Sequence, residues 1–328
     1  MSSTQDQAAQ RLVDSLELPS ELPKKRALVI ANPYATTVSD RLRNLVVYAL
    51  RSRYEVEAVG TQARGHATEI CREAAHEGYD VVIAFGGDGT VNEVVNGLAG
   101  SDTPVSCLPG GATNVYCKLL GIPGEIVDAT EHLLAITDDW KPRTVDLGRV
   151  NERYFAFSSG LGVDASVVRR VDEHPRLKAR LGAYYFTYAA VTTFTSHYLV
   201  RPPRMVVTAG GEETVGVTAI VQNGPRYTYF NSAPIELAEG ATLDGGTLSS
   251  VVLRSAGAFD MPSILLRALS PRVRLVNHRK VSGYDALENL LVRSADERPL
   301  PLHVDGDYVG DVHEARYAIV PGALRVVA

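Results

Sequence analysis

A short glycine-rich segment with a single acid is the part of the chain best suited to chemistry. It follows an apolar run, precedes apolar residues at helical spacing, and reads Phe85-Gly86-Gly87-Asp88-Gly89-Thr90. Glycines at a strand-to-helix turn let backbone N–H groups approach an anion, and the helix adds the positive end of its dipole. A carboxylate in such a turn would repel phosphate unless a divalent cation lay between the two. The segment therefore predicts a site for a nucleotide with Mg²⁺.

The residues around this turn define its boundary and exclude two better-known phosphate motifs. Thr90 and Glu93 have the spacing of a capping box, which predicts a helix that begins just after Thr90. The chain contains no GxxxxGK[ST] run, and this turn lacks the GxGxxG spacing of dinucleotide-binding folds. A glycine-rich turn that only connects a strand to a helix is the alternative without a ligand.

Alternating strands and helices must position this turn. In the first half of the chain, apolar runs alternate with helical patterns, which predicts a parallel sheet with crossover connections. We predict strands at Ala27–Ala31, Glu55–Val59, Asp80–Phe85 and Val105–Leu108, and helices at Asp40–Ser52, Ala67–His76, Val91–Ala99 and Asn114–Leu119. After about Asp146 the pattern favours antiparallel strands joined by turns, among them Arg204–Thr208, Val215–Val221, Thr247–Val252 and Arg316–Val320. One helical stretch, around residues 176–198, interrupts them.

The predicted fold class is therefore α/β, with an N-terminal parallel-sheet nucleotide-binding domain and a C-terminal β-rich, antiparallel, sandwich-like domain. A length of 328 residues agrees with about two domains. We expect an N-terminal tail or short helix at residues 1–26, the α/β domain at 27–146 and the β-rich domain at 147–310. A C-terminal strand segment at 311–328 could return to the first domain.

Composition limits the function classes. The 45% hydrophobic and 22% charged residues are average for folded chains, which excludes disorder for the chain as a whole. With 33 basic and 38 acidic residues the net charge is −5, so no nucleic-acid partner is expected. The cysteines lack CxxC spacing, so we expect reduced thiols at Cys71, Cys107 and Cys117.

Two segments bear on location. Residues 1–26 lack the apolar run of a secretory signal, so a cytoplasmic protein is expected. The stretch Gly182–Val200 is free of charged residues but rich in threonine, and it favours a buried or lipid-facing helix over a membrane span.

Several motifs in a fixed order resemble a known family. They are the glycine-rich turn, the run Asn92–Leu98, the run Leu108–Asn114 and the tetrapeptide Leu120-Gly121-Ile122-Pro123. Together they resemble the diacylglycerol kinase catalytic-domain family, which includes bacterial soluble lipid kinases and sphingosine and ceramide kinases. The similarity extends from Ala27 to about Gly310. The resemblance implies that the first domain binds ATP and that the second binds a lipid.

The resemblance also implies the nucleotide contacts. They are Asn32, Pro33, Thr61, Gly86, Gly87, Asp88, Gly89, Thr90, Asn92 and Thr113. The chain departs from the family in one loop, where Ala112 replaces a threonine and Val115 replaces an acid. Thr113, one residue later, is therefore assigned the hydroxyl contact. The departure leaves Asp88 and Asp146 as the carboxylates for the Mg²⁺ bound with ATP.

Two acidic turns in the second half complete the predicted site. Phosphoryl transfer to an alcohol needs a group that accepts the hydroxyl proton. The segment Asp305-Gly306-Asp307 resembles the family motif whose last acid has this role, which makes Asp307 the expected base. The segment around Asp244, Thr247 and Ser249 resembles the family's structural Mg²⁺ site. For both segments an ordinary hairpin turn is the alternative.

The expected function is that of an ATP- and Mg²⁺-dependent lipid kinase, with a diacylglycerol-like alcohol as the acceptor in a cleft between the domains. An acid-free basic stretch from Met261 to Tyr284 suits contact with an anionic membrane surface, with a solvated strand face as the alternative. The alternatives in function are an NAD kinase-like phosphotransferase and a lipid-binding regulatory protein that has lost catalysis. The oligomeric state stays open, a homodimer included.

Overall fold

The computed structural model describes residues 24–33, 39–138, 140–174, 177, 183–193, 202–230, 233–270 and 272–328. The chain divides into two units, which we call unit 1 (residues 1–145 and 322–328) and unit 2 (residues 146–321). The predicted N-terminal tail or helix falls almost entirely outside the described residues. Among the helices that are described, none is both long and apolar enough to cross a bilayer.

Unit 1 contains the predicted parallel sheet. Its strands are β1 (Lys25–Ala31), β2 (Tyr54–Gly60), β3 (Val81–Gly86) and β4 (Val105–Pro109), and they pair in parallel in the order β2-β1-β3-β4. Its helices are α1 (Asp40–Leu50), α2 (His66–Ala74), α3 (Asp88–Leu98), α4 (Val115–Leu119) and α5 (Ile126–Ala135). Every residue of β3 is buried, as expected for a parallel strand that is covered on both faces.

The end of the chain also belongs to this sheet. Val326 pairs in parallel with Val105 of β4, and the Val327 N–H donates to the Val105 carbonyl at 2.9 Å. The Gly100 N–H donates to the Ala323 carbonyl at 2.8 Å. The C-terminal strand therefore pairs with the first residue of β4 and contacts the chain before it.

The predicted capping box at Thr90 and Glu93 is wrong. The helix begins at Asp88, with Gly87 in an extended conformation as its N-cap and with no side-chain cap. Thr90 therefore lies inside the first turn. The Glu93 carboxylate accepts hydrogen bonds from the backbone N–H groups of Gly65 and Ala67, at the start of α2. Glu93 therefore makes a tertiary contact instead of the local capping contact that its spacing predicted.

Unit 2 consists mainly of antiparallel sheets. The strands are β5 (Arg143–Val150, which begins in unit 1), β6 (Arg153–Phe155), β7 (Ser158–Gly162), β8 (Met205–Ala209), β9 (Glu212–Gly216), β10 (Thr218–Gln222), β11 (Thr228–Phe230), β12 (Ala233–Ile235), β13 (Leu248–Leu253), β14 (Val281–Leu287), β15 (Asn289–Ser294), β16 (Leu300–Val304), β17 (Asp307–Val312) and β18 (Glu314–Val326, which ends in unit 1). One sheet has the order β14-β13-β10-β7-β16-β17, and the other contains β18, β15, β8 and β9, with β5 paired to β18 and β6 paired to β5. Buried side chains from both sheets form its core, among them Leu161, Val221 and Val292. The predicted α/β fold class, with a parallel-sheet first half and a β-rich second half, is confirmed.

The helices of unit 2 are α6 (Val163–Asp172), α7 (Ala183–Thr193) and α8 (Met261–Leu269). The helix α7 lies within the predicted helical stretch, part of which is outside the described residues, whereas α6 and α8 were not predicted. The predicted strand Val215–Val221 is wrong as a single element. The chain leaves β9, which pairs with β8, and at Val217 it changes partners to enter β10 between β13 and β7.

The cysteines agree with the expectation of reduced thiols. Cys71, Cys107 and Cys117 are free and buried. Burial, with a smaller contribution from the Glu93 charge, raises the pKa of the Cys71 thiol to about 12.

Candidate active site

The loops that follow the strands of unit 1 meet at one edge of the sheet. Parallel strands have their carboxyl ends on the same side, which is where open α/β sheets bind ligands. Backbone hydrogen bonds join the neighbouring loops at this edge: Asn32 N–H to the Phe85 carbonyl at 3.0 Å, Thr61 N–H to the Ala31 carbonyl at 2.9 Å, and Gly110 N–H to the Gly86 carbonyl at 2.9 Å. The predicted contacts on four different strands are thus brought together.

Two pairs of glycines let the loops after β3 and β4 approach closely. A Cβ atom built on Gly111 would lie 2.7 Å from the Cα atom of Gly87, and one on Gly110 would lie 3.0 Å from the Cα atom of Gly86. A side chain at Gly111 would therefore force the two loops apart. The result is a surface of bare backbone, which is suited to close contact with phosphate oxygens.

The helix α3 begins at this surface. No side chain caps its N-terminus, so the positive end of its dipole is available to an anion. The Thr90 side chain lies directly beneath Gly86, and its hydroxyl oxygen accepts a hydrogen bond from the Asn32 amide at 3.3 Å. Asn32 and Thr90 thus connect the loop after β1 to the glycine-rich turn after β3.

The Asp88 carboxylate has a role that the sequence did not reveal. Its two oxygens accept hydrogen bonds from the backbone N–H groups of Val115 and Tyr116, both at 3.0 Å. Asp88 therefore caps the first turn of α4, whose own N-cap, Asn114, makes no capping hydrogen bond. An acid in this turn can therefore be stabilised by backbone N–H groups, without a cation.

Two more side chains hold the loops in place. Glu93 accepts the Gly65 N–H at 2.8 Å and the Ala67 N–H at 3.1 Å, which fixes the loop after β2 to α3. The Asn114 amide closes its loop by exchanging hydrogen bonds with the Gly111 backbone at 2.8 and 2.7 Å. Its positive φ of 50° is a conformation that asparagine tolerates better than most residues.

The other predicted nucleotide contacts differ in exposure. Thr61 and Thr113 are half-buried, and Pro33 is exposed beside a concave region of about 430 Å³ between α1 and the ends of β1 and β2. Arg43 and Tyr48 of α1 line this region. Asn92 is buried, and its side-chain oxygen accepts a hydrogen bond from Asn96 within α3.

In unit 2 the two acids of the predicted base turn have different environments. Asp305 is 3% exposed, and its carboxylate accepts the N–H groups of Ala156 at 2.7 Å and of Phe157 and Ser158 at 3.0 Å. Asp305 therefore fixes the turn to the chain before β7. Asp307, the first residue of β17, is half-buried.

A polar cluster of the buried His303 and the half-buried Asp164 and Tyr227 lies beside this turn, and the sequence did not predict it. The Asp164 carboxylate accepts a hydrogen bond from the Tyr227 hydroxyl at 2.6 Å and contacts the His303 Nε2 atom at 2.5 Å. Burial raises the pKa of Asp164, but the charge and hydrogen bond of His303 and the Tyr227 hydroxyl outweigh it, so this pKa lies below its ordinary value. Burial and the Asp164 charge raise the pKa of Tyr227 well above its ordinary value. The one sequence signal was the position of His303, two residues before Asp305.

The residues predicted to hold metal in unit 2 are partly engaged with backbone. Asp146 accepts the Gly246 N–H at 2.6 Å and donates its own N–H to the Leu243 carbonyl, so it is bound to the segment that contains Asp244. Asp244 is exposed, and Ser249 is buried with a hydroxyl that has no hydrogen-bond partner in the part of the chain that the structure describes. Across the described residues, no three or more histidine, cysteine or acidic side chains are grouped to hold a metal ion.

Comparison with known proteins gives matches over most of the chain. Residues 26–150 match the family model described as diacylglycerol kinase catalytic domain, and residues 158–328 match the one described as YegS C-terminal NAD kinase beta sandwich-like domain. A protein of Bacillus subtilis strain 168 named diacylglycerol kinase is 28% identical over 293 residues, which is 87% of this chain and 91% of the relative. One of the same name from Staphylococcus aureus strain bovine RF122 / ET3-1 is 29% identical over 296 residues, or 88% of this chain and 87% of the relative. A crystal structure of a diacylglycerol kinase from Bacillus anthracis strain Sterne aligns with a TM-score of 0.68 at 19% identity, covering 94% of this chain and 98% of that chain.

Proposed function

Because the chain belongs to the diacylglycerol kinase catalytic-domain family, we propose that it transfers the γ-phosphoryl group of ATP to a lipid hydroxyl, with diacylglycerol as the leading acceptor and phosphatidic acid as the product. That the chain is a kinase follows from the match of its first half to the catalytic domain and from its relatives. One observation supports ATP as the phosphoryl donor. The Gly86-Gly87 and Gly110-Gly111 loops lie in close contact beside the uncapped N-terminus of α3.

The phosphates of ATP are proposed to bind at these two loops. Backbone N–H groups and a helix dipole stabilise negative charge without a lysine, which agrees with the absence of a GxxxxGK[ST] run. Thr61 and Thr113 are half-buried on neighbouring loops and are proposed as hydroxyl contacts. Asn32 and Thr90 are proposed to hold the loops together, because their side chains hydrogen-bond to each other.

The donors of unit 1 fit a Mg²⁺ ion that arrives with the nucleotide better than one held by protein alone. Asp88 has the carboxylate oxygens that Mg²⁺ prefers, but both already accept a backbone N–H. When bound, the ion would neutralise charge on the phosphate oxygens. The family's acid at position 115 is a valine here, so Asp88 would supply this loop's carboxylate contact. Asp146 belongs to unit 2, and its role as a metal ligand stays a prediction.

Asp307 is proposed as the acceptor of the lipid hydroxyl proton. It starts a strand, and the turn before it is fixed by the three hydrogen bonds that Asp305 accepts. A base must be held within hydrogen-bond reach of its proton, and a fixed turn supplies that rigidity. The environment of Asp305 favours Asp307 over Asp305 for this role, because the Asp305 carboxylate is fully engaged with backbone.

A structural cation in unit 2 is the remaining metal proposal. It would take the exposed carboxylate of Asp244 and oxygens near Thr247 and Ser249. Among the described residues the buried Ser249 hydroxyl has no hydrogen-bond partner, which is compatible with a role as a ligand. A cation would hold the turn to which Asp146 is already bound.

The lipid acceptor resides in a membrane, so peripheral association with an anionic bilayer from the cytoplasmic side is part of the proposal. The acid-free stretch from Met261 to Tyr284 supports it, with five cations at Arg267, Arg272, Arg274, Arg279 and Lys280.

The test incubates the purified protein with γ-labelled ATP, Mg²⁺ and diacylglycerol in mixed micelles, and measures label in the organic phase. A parallel reaction offers NAD as the acceptor. Label in the lipid that disappears in the Asp307→Asn variant supports the proposal. Label in NAD but not in lipid would make the protein an NAD kinase. No transfer to either acceptor by the folded protein would favour the regulatory alternative.

A further inference from the structure

The helix α8 is apolar on two faces, only one of which packs against the protein. Met261, Ile264 and Ala268 contact a core cluster of unit 2. The remaining large side chains of the helix, Leu265, Leu266 and Leu269, face solvent. A surface helix normally carries polar residues on its outer side, so this helix departs from the usual pattern.

The exposed apolar side extends beyond the helix. Phe259, just before α8, is 100% exposed, Leu266 is 72% exposed, and Val273 after the helix is also exposed. Large apolar side chains grouped on a protein surface indicate an interaction site more often than chance exposure does. We call Phe259, Leu265, Leu266, Leu269 and Val273 the α8 face.

Five cations lie within α8 or in the chain that follows it, at Arg267, Arg272, Arg274, Arg279 and Lys280. Arg274 and Arg279 form ion pairs with Glu239 and Asp260 at 3.1 and 3.0 Å. By contrast, Arg267, Arg272 and Lys280 have no carboxylate within ion-pair distance among the residues that the structure describes. These cations lie on a chain whose net charge is −5, so the positive charge is local.

We propose that the α8 face inserts into the interface of an anionic lipid bilayer, with Arg267, Arg272 and Lys280 at the level of the headgroups. A short helix with an apolar side and flanking cations binds in the plane of such an interface through buried apolar area and attraction to anionic lipid. A second copy of the chain fits less well. A two-fold contact places the same patch on both sides, so the unpaired cations would face one another.

This proposal builds on the proposed function, because a kinase that acts on a membrane lipid must reach the bilayer. It differs in being testable without ATP. Binding of the full-length protein is measured by co-sedimentation with vesicles of phosphatidylcholine alone and of phosphatidylcholine mixed with phosphatidylglycerol. We expect binding to the anionic vesicles, weaker binding at high salt, and little binding to the neutral ones.

Variants separate the two contributions. Leu266→Ser should lower the partition coefficient about tenfold, because a leucine side chain is no longer transferred from water. Arg272→Gln should lower it about fivefold on anionic vesicles only. Val215→Ser, which removes an exposed apolar side chain from β9, is the matched control and should bind like the wild type. In Leu266→Trp, indole fluorescence should shift to the blue on addition of anionic vesicles, beyond any change of the native Trp140.

Three outcomes would overturn the proposal. They are Leu266→Ser binding like the wild type, equal binding to neutral and anionic vesicles at low salt, and a solution dimer that Leu266→Ser converts to a monomer. The last would make the α8 face an interface between copies. If the vesicle results are as expected but no lipid is phosphorylated, the proposed function fails and the docking surface stands.

Discussion

Replacing Asp305 by asparagine separates a residue that holds the turn from one that acts in chemistry. In the wild type, one carboxylate oxygen accepts the Phe157 and Ser158 N–H groups and the other accepts the Ala156 N–H. The asparagine oxygen can keep the first pair. Its amide group then points at the Ala156 N–H, so two donors face each other at a site that is 3% exposed.

The cost follows from these contacts. A hydrogen bond to a charged group contributes about 1.5–3 kcal/mol, and a buried N–H left without a partner costs about 1–3 kcal/mol. The variant loses the hydrogen bond to Ala156, and its two remaining hydrogen bonds have a neutral acceptor. Together these changes should lower the free energy of unfolding by about 3–5 kcal/mol. For a unit of this size the midpoint of thermal unfolding should fall by about 6–20 °C.

The assay pairs thermal unfolding with kinetics, and Asp307→Asn is the matched variant. Asp307 is half-buried whereas Asp305 is 3% exposed, so Asp307→Asn should lower the midpoint less than Asp305→Asn does, while lowering the maximal rate about 10²–10⁴-fold with little effect on the apparent affinity for ATP. Asp307→Glu should retain part of the activity. The reasoning is refuted if Asp305→Asn unfolds like the wild type yet loses its maximal rate, which would make Asp305 the base. If Asp307→Asn instead raises the ATP requirement at an unchanged maximal rate, Asp307 is a nucleotide or metal contact.

Three further predictions concern other acids. Asp88→Asn should abolish transfer and also lower thermal stability, because one N–H at the start of α4 loses its acceptor; full activity in a folded variant would contradict the site. Free Mg²⁺ beyond the ATP complex should raise the thermal midpoint of the wild type but not of Asp244→Ala. Equal shifts in the two proteins would contradict a structural cation and favour an ordinary hairpin turn at this segment. The pKa of Asp164 lies below its ordinary value of 3.8, so its stabilising contribution is present above that pH and is lost as the pH falls through the folded value. Acid unfolding of Asp164→Asn should therefore depend less steeply on pH than that of the wild type.

The sequence predicted what depends on neighbours along the chain. Strands β1 to β4, helices α1 to α4 and the glycine turn after β3 lie within a few residues of their predicted bounds, because apolar runs and glycines act locally, whereas α5 was not predicted. The partners of the acids were not predictable in this way. Asp88 contacts Tyr116, and Asp164 contacts His303, 139 residues further along the chain. A single sequence carries no record of such pairings.

Two predictions were wrong or missing because they depended on tertiary contacts. Glu93 has the spacing of a capping residue, but the N–H groups of Gly65 and Ala67 have no partner of their own on α2 and bind it instead. The helix α8 was not predicted, since its apolar residues surround it rather than forming one stripe.

The strand β18 has a consequence for the order in which the protein is assembled. A ribosome makes the first 145 residues of unit 1 early, yet among the described residues the start of β4, on the side away from β3, pairs with Val326 near the end of the chain. All of unit 2 is made in between. During synthesis β4 of the nascent unit 1 therefore has an unpaired edge until the last residues are made. Such an edge can pair with strands of other chains. Chaperone dependence and aggregation of this protein should accordingly be set by the delay before its last strand arrives, and an N-terminal fragment should be less soluble than the full chain.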